Sequence, residues 1–153
     1  VVAGEFFSGL GTPQFASPEA LARLAEGLPG DRLFWLNGAD PVSALGLGVD
    51  LVPGHAGRRV PTTYVSYRGA EWLLVAEARG RRLAIRPGPD EEILPAALAV
   101  LEVLLTRAVR PLRSLTIETI NGAPASSSPY RDALADRLHV VREAGELYVT
   151  RRF

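Results

Sequence analysis

Three groups of side chains in this sequence have types and spacing that could do chemistry: a run of serines, a cluster of arginines and one late glutamate. The serines are Ser126, Ser127 and Ser128, inside "ETINGAPASSSPYRDAL" (Glu118 to Leu134). A nucleophilic serine needs a general base and an oxyanion hole. No G-x-S-x-G surrounds these serines, and His139 falls on an apparent strand with no reason to meet them. Ser128 precedes Pro129 as Ser17 precedes Pro18. That pairing marks a helix start: the serine oxygen accepts from an orphan N–H, and proline lacks the N–H that would have gone unpaired. Both serines are therefore read as helix N-caps rather than nucleophiles.

All 17 basic residues are arginine. Between His55 and Arg86 seven of them stand against two acids, Glu71 and Glu77. Arg58 and Arg59 precede an apparent strand, Arg68 lies in the next turn, and Arg79, Arg81 and Arg82 lie in the turn after it. Successive turns of a meander fall at opposite ends of the sheet. Arg58, Arg59 and Arg79 to Arg82 should thus share one edge, with Arg68 on the other. Arginine at hairpin tips suits phosphate contact, so Arg58, Arg59, Arg79, Arg81 and Arg82 are the expected DNA-binding set. Tyr64, Tyr67 and Trp72 would offer stacking surfaces to unpaired bases. The competing expectation is that the arginines solubilise turns and pair with acids from other elements. Trp35 and Trp72 stand beside leucines on apparent strands and are expected in the core. Glu146, the last acid of the chain, is the one weak catalytic candidate; a solvated strand face explains it as readily.

Composition removes other chemistries. With 153 residues, 47% apolar and 22% charged, the chain reads as one globular domain. Its formal net charge is zero, so any case for nucleic acid rests on local clustering. There is no cysteine, hence no disulfide, thiolate zinc site or cysteine nucleophile. The two histidines, His55 and His139, are far apart, and no metal site is expected. Asp90, Glu91 and Glu92 are read as charge at a helix N-terminus. The longest apolar run, Ile93 to Leu105, is shorter than the ~20 residues that span a bilayer. No signal peptide is visible, so a cytoplasmic location is expected, with no membrane partner. The chain contains no methionine, and is expected to be an excerpt of something longer.

The elements that must position these residues follow from periodicity. "VVAGEFF" reads as a strand. A helix follows Ser17, with Leu21, Leu24 and Leu28 on one face and Gly30 at its end. "DRLFWLNG" reads as a buried strand. "VPTTYVSY", "EWLLVAEA" and "RRLAIRP" form an antiparallel meander with glycine turns. In its first strand Tyr64 and Ser66 share one face with Val60 and Thr62, while Thr63, Val65 and Tyr67 take the other. An apolar helix from about Leu94 carries Leu98, Leu101 and Leu105, covered on more than one side. The last unit is strand "LTIETI", an Asn-Gly turn, a helix, and a closing hairpin. The expected fold class is α+β: an antiparallel sheet curled into a β-barrel with about three packed helices.

Three stretches also carry a resemblance. "FFSGLGTPQFASPEALARL", "LNGADPVSALG" and "LTIETINGAPASSSPYRDAL" resemble, in order, the C-terminal β-barrel region of the Lhr (large helicase-related) family of DEAD/DEAH-type ATP-dependent DNA helicases. That implies residues 1–16 end a preceding winged-helix wing or form a strand leading into the domain, and residues 17–153 form the barrel. The parent would be a DNA-repair helicase, a hydrolase using ATP and Mg in motor domains absent here. A chain without lysine has no G-x-x-x-x-G-K-[ST] loop. This piece would need no cofactor and would be a non-ATPase accessory domain contacting DNA and the upstream winged helices. Two alternatives accompany it: a structural or homo-oligomerisation module using the apolar helix, and part of an AlkZ-like DNA glycosylase region. The latter's paired glutamines have no match, since Gln14 is the single glutamine.

Overall fold

The computed structural model describes residues 1–6, 11–27, 29–46 and 59–152. In chain order the elements are β1 (Val2–Gly4), β2 (Gln14–Ala16), α1 (Pro18–Glu26), β3 (Leu33–Asn37), β4 (Tyr64–Arg68), β5 (Glu71–Glu77), β6 (Arg82–Ile85), α2 (Leu94–Thr106), β7 (Leu115–Ile117), β8 (Thr119–Ile120), β9 (Ala123–Pro124), α3 (Arg131–Arg137), β10 (His139–Glu143) and β11 (Glu146–Thr150).

The meander forms as its glycine turns require. β3, β4, β5 and β6 pair antiparallel in order, and the sheet continues through β8 to β9. Alternation along β4 sends Tyr64 toward one buried cluster and Val65 and Tyr67 toward the other. The register slips between Ser66 and Tyr67, whose partners are Leu74 and Trp72. The extra residue is Leu73, so Leu73 and Leu74 both join the larger core. A bulge thus adds one leucine to a face that alternation alone would have given one.

That face is covered by α2, which is apolar nearly all round. Leu94, Ala97, Leu98, Val100, Leu101, Leu104 and Leu105 are all buried. A helix with so wide an apolar surface must be packed on several sides. It meets β4 and β5 on one side and α3 on another. Ser66 Oγ, itself buried, donates to the Ala97 carbonyl at 3.1 Å and ties sheet to helix. The second sheet, ordered β10-β11-β7 and antiparallel, adds Leu115, Ile117, Leu147 and Val149 to the same core.

The expected barrel is not present. Among the described residues the strands form open sheets of two, three and six strands, and none closes on itself. Two local causes are visible. The run "LTIETI" breaks at Glu118: Leu115–Ile117 pairs with β11, whereas Thr119–Ile120 pairs parallel with β6. The six-stranded sheet then ends in a two-residue hairpin at Pro124, which has no N–H to extend the ladder. The space a barrel wall would enclose is filled by α2.

The amino-terminal part stands outside both cores. β1 pairs only with β2, and α1 buries no residue. Ser17 caps α1 as its sequence predicts, its Oγ accepting from the Ala20 N–H at 3.1 Å. The helix ends at Gly27, before the expected Gly30. Ser128 does something different. The regular helix begins at Arg131, and Ser128 Oγ accepts from the Tyr130 N–H at 3.3 Å, one turn upstream. Ser128 therefore closes the turn that leads into α3 rather than capping the helix itself. Tyr130 fixes that turn by donating its buried hydroxyl to the Pro87 carbonyl at 2.9 Å.

Candidate nucleic-acid interface

The predicted arginines divide by partner. Arg82 pairs with Glu77 at 3.2 Å, Arg68 with Glu71 at 3.1 Å, and Arg86 with Glu71 at 3.4 Å. Glu71 is held below the usual carboxylate range by the hydrogen bond from Arg68 and then by the charge of Arg86. Arg59 donates to the Asp40 and Pro41 carbonyls and holds that turn. Arg58 and His55 lie outside the described residues. For the described residues, the Arg79 N–H donates to the Thr62 carbonyl at 2.8 Å, next to the start of β4, while Arg68 sits at the opposite turn.

Arg79 and Arg81 lead elsewhere. They line a concavity of about 480 Å³ together with Ser114, Thr116 and Glu146. Leu112 belongs to this concavity and also to the next, about 370 Å³, which Arg113 and Arg151 line. Thr150 and Arg151 in turn belong to a third, about 310 Å³, lined by His139 and Arg152. Through these shared residues the three adjoin as a groove, lined among the described residues by five arginines and one carboxylate, Glu146, with Glu118 beside it paired to Arg81.

The two sheets build this groove. β7 and β11 pair Leu115 with Val149 and Ile117 with Leu147. Arg113, just before β7, and Arg151, just after β11, line the same concavity. Arg81 reaches in from the start of β6 and pairs with Glu118. That hydrogen bond, with Glu118's charge and a smaller pull from Glu146, holds the guanidinium more firmly protonated than usual. Among the described residues the Arg79 and Arg113 side chains have no hydrogen-bond or ion-pair partner. Arg152 donates to the Asp136 carbonyl at 2.8 Å, which leaves its charge uncompensated.

The proposed stacking aromatics are not available. Tyr64 and Tyr67 are 5% and 8% exposed, too little to offer a ring face to a base. The Tyr64 hydroxyl accepts from Arg107, whose guanidinium lies 5.9 Å over the ring. Burial pushes the Tyr67 hydroxyl's pKa up. Trp72 is half-buried against the smaller core cluster. The expectation that Trp35 is core is overturned as well. β3 is an edge strand, and Leu33, Phe34 and Trp35 are 48%, 39% and 39% exposed. Phe34 stacks on Tyr67 with ring centres 5.2 Å apart.

Asp90 to Glu92 lie before α2, whose first turn holds no acid, so they are not the helix N-terminal charge expected; Glu91 accepts from the Gly88 N–H at 2.7 Å. Among the described residues no three histidine or acidic side chains converge to hold a metal ion. No helix of the described residues is long and apolar enough to cross a membrane.

No known protein family, curated protein or solved structure matches this chain. The site therefore has to be read from its own chemistry. Guanidiniums line the groove, with hydroxyls of Ser114, Thr116 and Thr150 between them, groups of the kind that can contact phosphate. Arg113, Arg151 and Arg152 have weak sequence signals, "RPLRS" and "TRR", each too short to stand out alone. They come together only as walls of two adjoining concavities.

Proposed function

We propose that this domain is a non-catalytic nucleic-acid-binding module that tracks the phosphate backbone of DNA along the arginine groove. The observation that carries the reading is the continuity of the three concavities from Arg79 and Arg81 through Arg113 and Arg151 to Arg152. The ordered resemblance of the three sequence stretches to the Lhr C-terminal region supports reading it as the accessory domain of an Lhr-type DNA-repair helicase, which would work in the cytoplasm beside winged helices and an ATP- and Mg-dependent motor. The oligomerisation alternative would have to use the partly exposed Ala96, Ala99 and Val103 of α2, since its leucines are buried.

The test is fluorescence anisotropy of the 153-residue chain with a labelled DNA, across a salt series. Binding should be weak, with Kd about 10⁻⁴–10⁻⁶ M at physiological salt and little sequence preference. Replacing Arg113, Arg151 and Arg152 together with alanine should lower affinity uniformly and flatten the log K against log salt slope by about one to three units. An unchanged slope in that variant would remove the groove as the binding surface.

A further inference from the structure

The Arg79–Arg81 end of the groove differs from the rest because it contains Glu146. A carboxylate beside a path for phosphodiesters is unfavourable, since a diester carries negative charge and has no proton to donate. Its presence needs an account, and ion pairing supplies only part of one. Arg81 makes its hydrogen bond to Glu118, and Glu146 acts on it only through its charge. Among the described residues the Glu146 carboxylate accepts no hydrogen bond, and neither Ser114 nor Thr116 uses its hydroxyl.

The cations are set by an unusual turn. Ala78, Arg79 and Gly80 have φ of 48°, 61° and 91° in succession. Such backbone is costly for alanine and arginine and persists only where its surroundings enforce it. Here the Arg79 N–H is fixed by the Thr62 carbonyl. Gly80 sits under Leu115, where an added Cβ would lie 3.3 Å from Leu115 Cδ2. The turn therefore holds Arg79 at the mouth of the concavity and leads directly into Arg81. Two guanidiniums, two hydroxyls and an unfilled acceptor then surround about 480 Å³, a volume within the range of small-ligand sites.

We propose that this concavity binds one nucleotide unit, its phosphate on Arg79 and Arg81 and a sugar hydroxyl donating to Glu146. The choice of ligand rests on the reading of the groove as a nucleic-acid surface. Ser114 and Thr116 donate to the remaining phosphate oxygens. A hydroxyl beside a phosphate comes from two sources, the 2′ position of a ribonucleotide or the 3′ end of a strand. Either source satisfies the carboxylate, whereas an internal deoxynucleotide leaves it facing negative charge unpaired.

The experiment is an NMR titration of the 153-residue chain with adenosine 5′-monophosphate and its 2′-deoxy and 2′,3′-dideoxy counterparts. The ribonucleotide should shift the amides of residues 114–116 and 146 and bind about tenfold tighter than the dideoxy form, as expected for one hydrogen bond to a charged acceptor. The 2′-deoxy form tells which hydroxyl is used: affinity near the ribonucleotide assigns the 3′ group, and affinity near the dideoxy form assigns the 2′ group. Glu146→Gln should raise the affinity of the dideoxy form and reduce the tenfold difference to about twofold or less. Equal binding of the ribo and dideoxy forms by the wild type overturns the proposal, as does the absence of shifts at these residues with every nucleotide. DNA binding that depends on Arg113, Arg151 and Arg152 without nucleotide discrimination leaves the groove reading intact and sinks only this one. Discrimination among nucleotides without DNA binding does the reverse.

Discussion

Asn121 pairs with Ile85 as a strand would. Its Oδ1 accepts from the Ile85 N–H at 2.7 Å and its Nδ2 donates to the Ile85 carbonyl at 2.9 Å. β8 is only two residues long and pairs with Arg82 and Leu83. One side-chain amide therefore extends that ladder past its end and satisfies a buried residue's backbone on both sides. Asn121 does this from a turn at φ 51°, where asparagine is among the few tolerated residues. Asn121→Ala removes both bonds and strains the turn, and should cost about 2–3 kcal/mol in chemical denaturation. Asn121→Gly relieves the strain but not the bonds and should be the milder of the two. A loss under about 0.5 kcal/mol for alanine would mean water replaces the amide.

The apolar helix yields a sharper outcome than its sequence allowed. Leu98 and Leu101 are 1% and 0% exposed, so neither is an outward position; the outward stripe of α2 is Pro95, Ala96, Ala99 and Val103. Leu98→Glu and Leu101→Glu should both unfold the domain, and Leu101→Ala should cost about 2–5 kcal/mol. A folded, monodisperse Leu98→Glu variant with altered oligomeric state would reverse this.

The two serine turns should respond differently to alanine. Ser17→Ala removes the α1 cap, but α1 buries nothing, so the ~0.5–2 kcal/mol should appear as local fraying and leave the main unfolding transition in place. Ser128 is buried, and its turn positions Tyr130 and α3 against the core. Ser128→Ala should lower global stability by about 1 kcal/mol. Amide exchange near residues 18–21 and a denaturant melt separate the two effects.

Much of this fold was legible from local signals. The meander, its turn ends, the start of α2 near Leu94 and the Asn-Gly corner follow from two-residue alternation, helical spacing and turn chemistry, and each depends on neighbours in sequence. The barrel was not legible, because closure depends on how distant strands pair. "LTIETI" alternates like one strand and divides between two sheets at Glu118 for reasons of tertiary geometry. The exposure of Trp35 was hidden likewise: an edge strand and a central strand of this composition read alike. For the candidate site, Arg79 and Arg81 were found as turn residues, and Glu146 as an isolated acid. That they adjoin the concavity of Arg113 and Arg151 depends on tertiary packing around Leu112.

The Arg68–Glu71–Arg86 cluster gives a pH signature independent of the groove. Glu71's folded pKa is lowered, first by Arg68 and then by Arg86. A depressed carboxylate contributes stability that is present above its unfolded value and lost as pH falls through the folded one. Its NMR titration midpoint should lie below that of other exposed glutamates. Arg68→Ala and Arg86→Ala should each raise it, since the Arg68 hydrogen bond and then the charge and hydrogen bond of Arg86 hold it down. Both ions are exposed, so the effect on total stability should be slight. A midpoint at the ordinary glutamate value in the wild type would show the pair to be loose in solution.

Arginines already paired should matter less to DNA than those left open. Arg82 is held by Glu77 and Arg68 by Glu71, so a phosphate approaching either must compete with a carboxylate in place. Arg113 has no such competitor among the described residues, and it lines the same concavity as Arg151. Arg113→Ala should therefore weaken DNA binding and lower the salt slope by about one unit, while Arg82→Ala and Arg68→Ala should each leave the slope within error. Arg81→Ala should fall between them, because Glu118 already holds its guanidinium. It also frees Glu118 and Glu146 as two uncompensated acids beside the groove. Its loss of affinity should thus exceed its change in slope, a separation that neutralising a simple phosphate contact does not produce. Equal slopes for all four variants would mean that overall charge, rather than the groove, attracts the DNA.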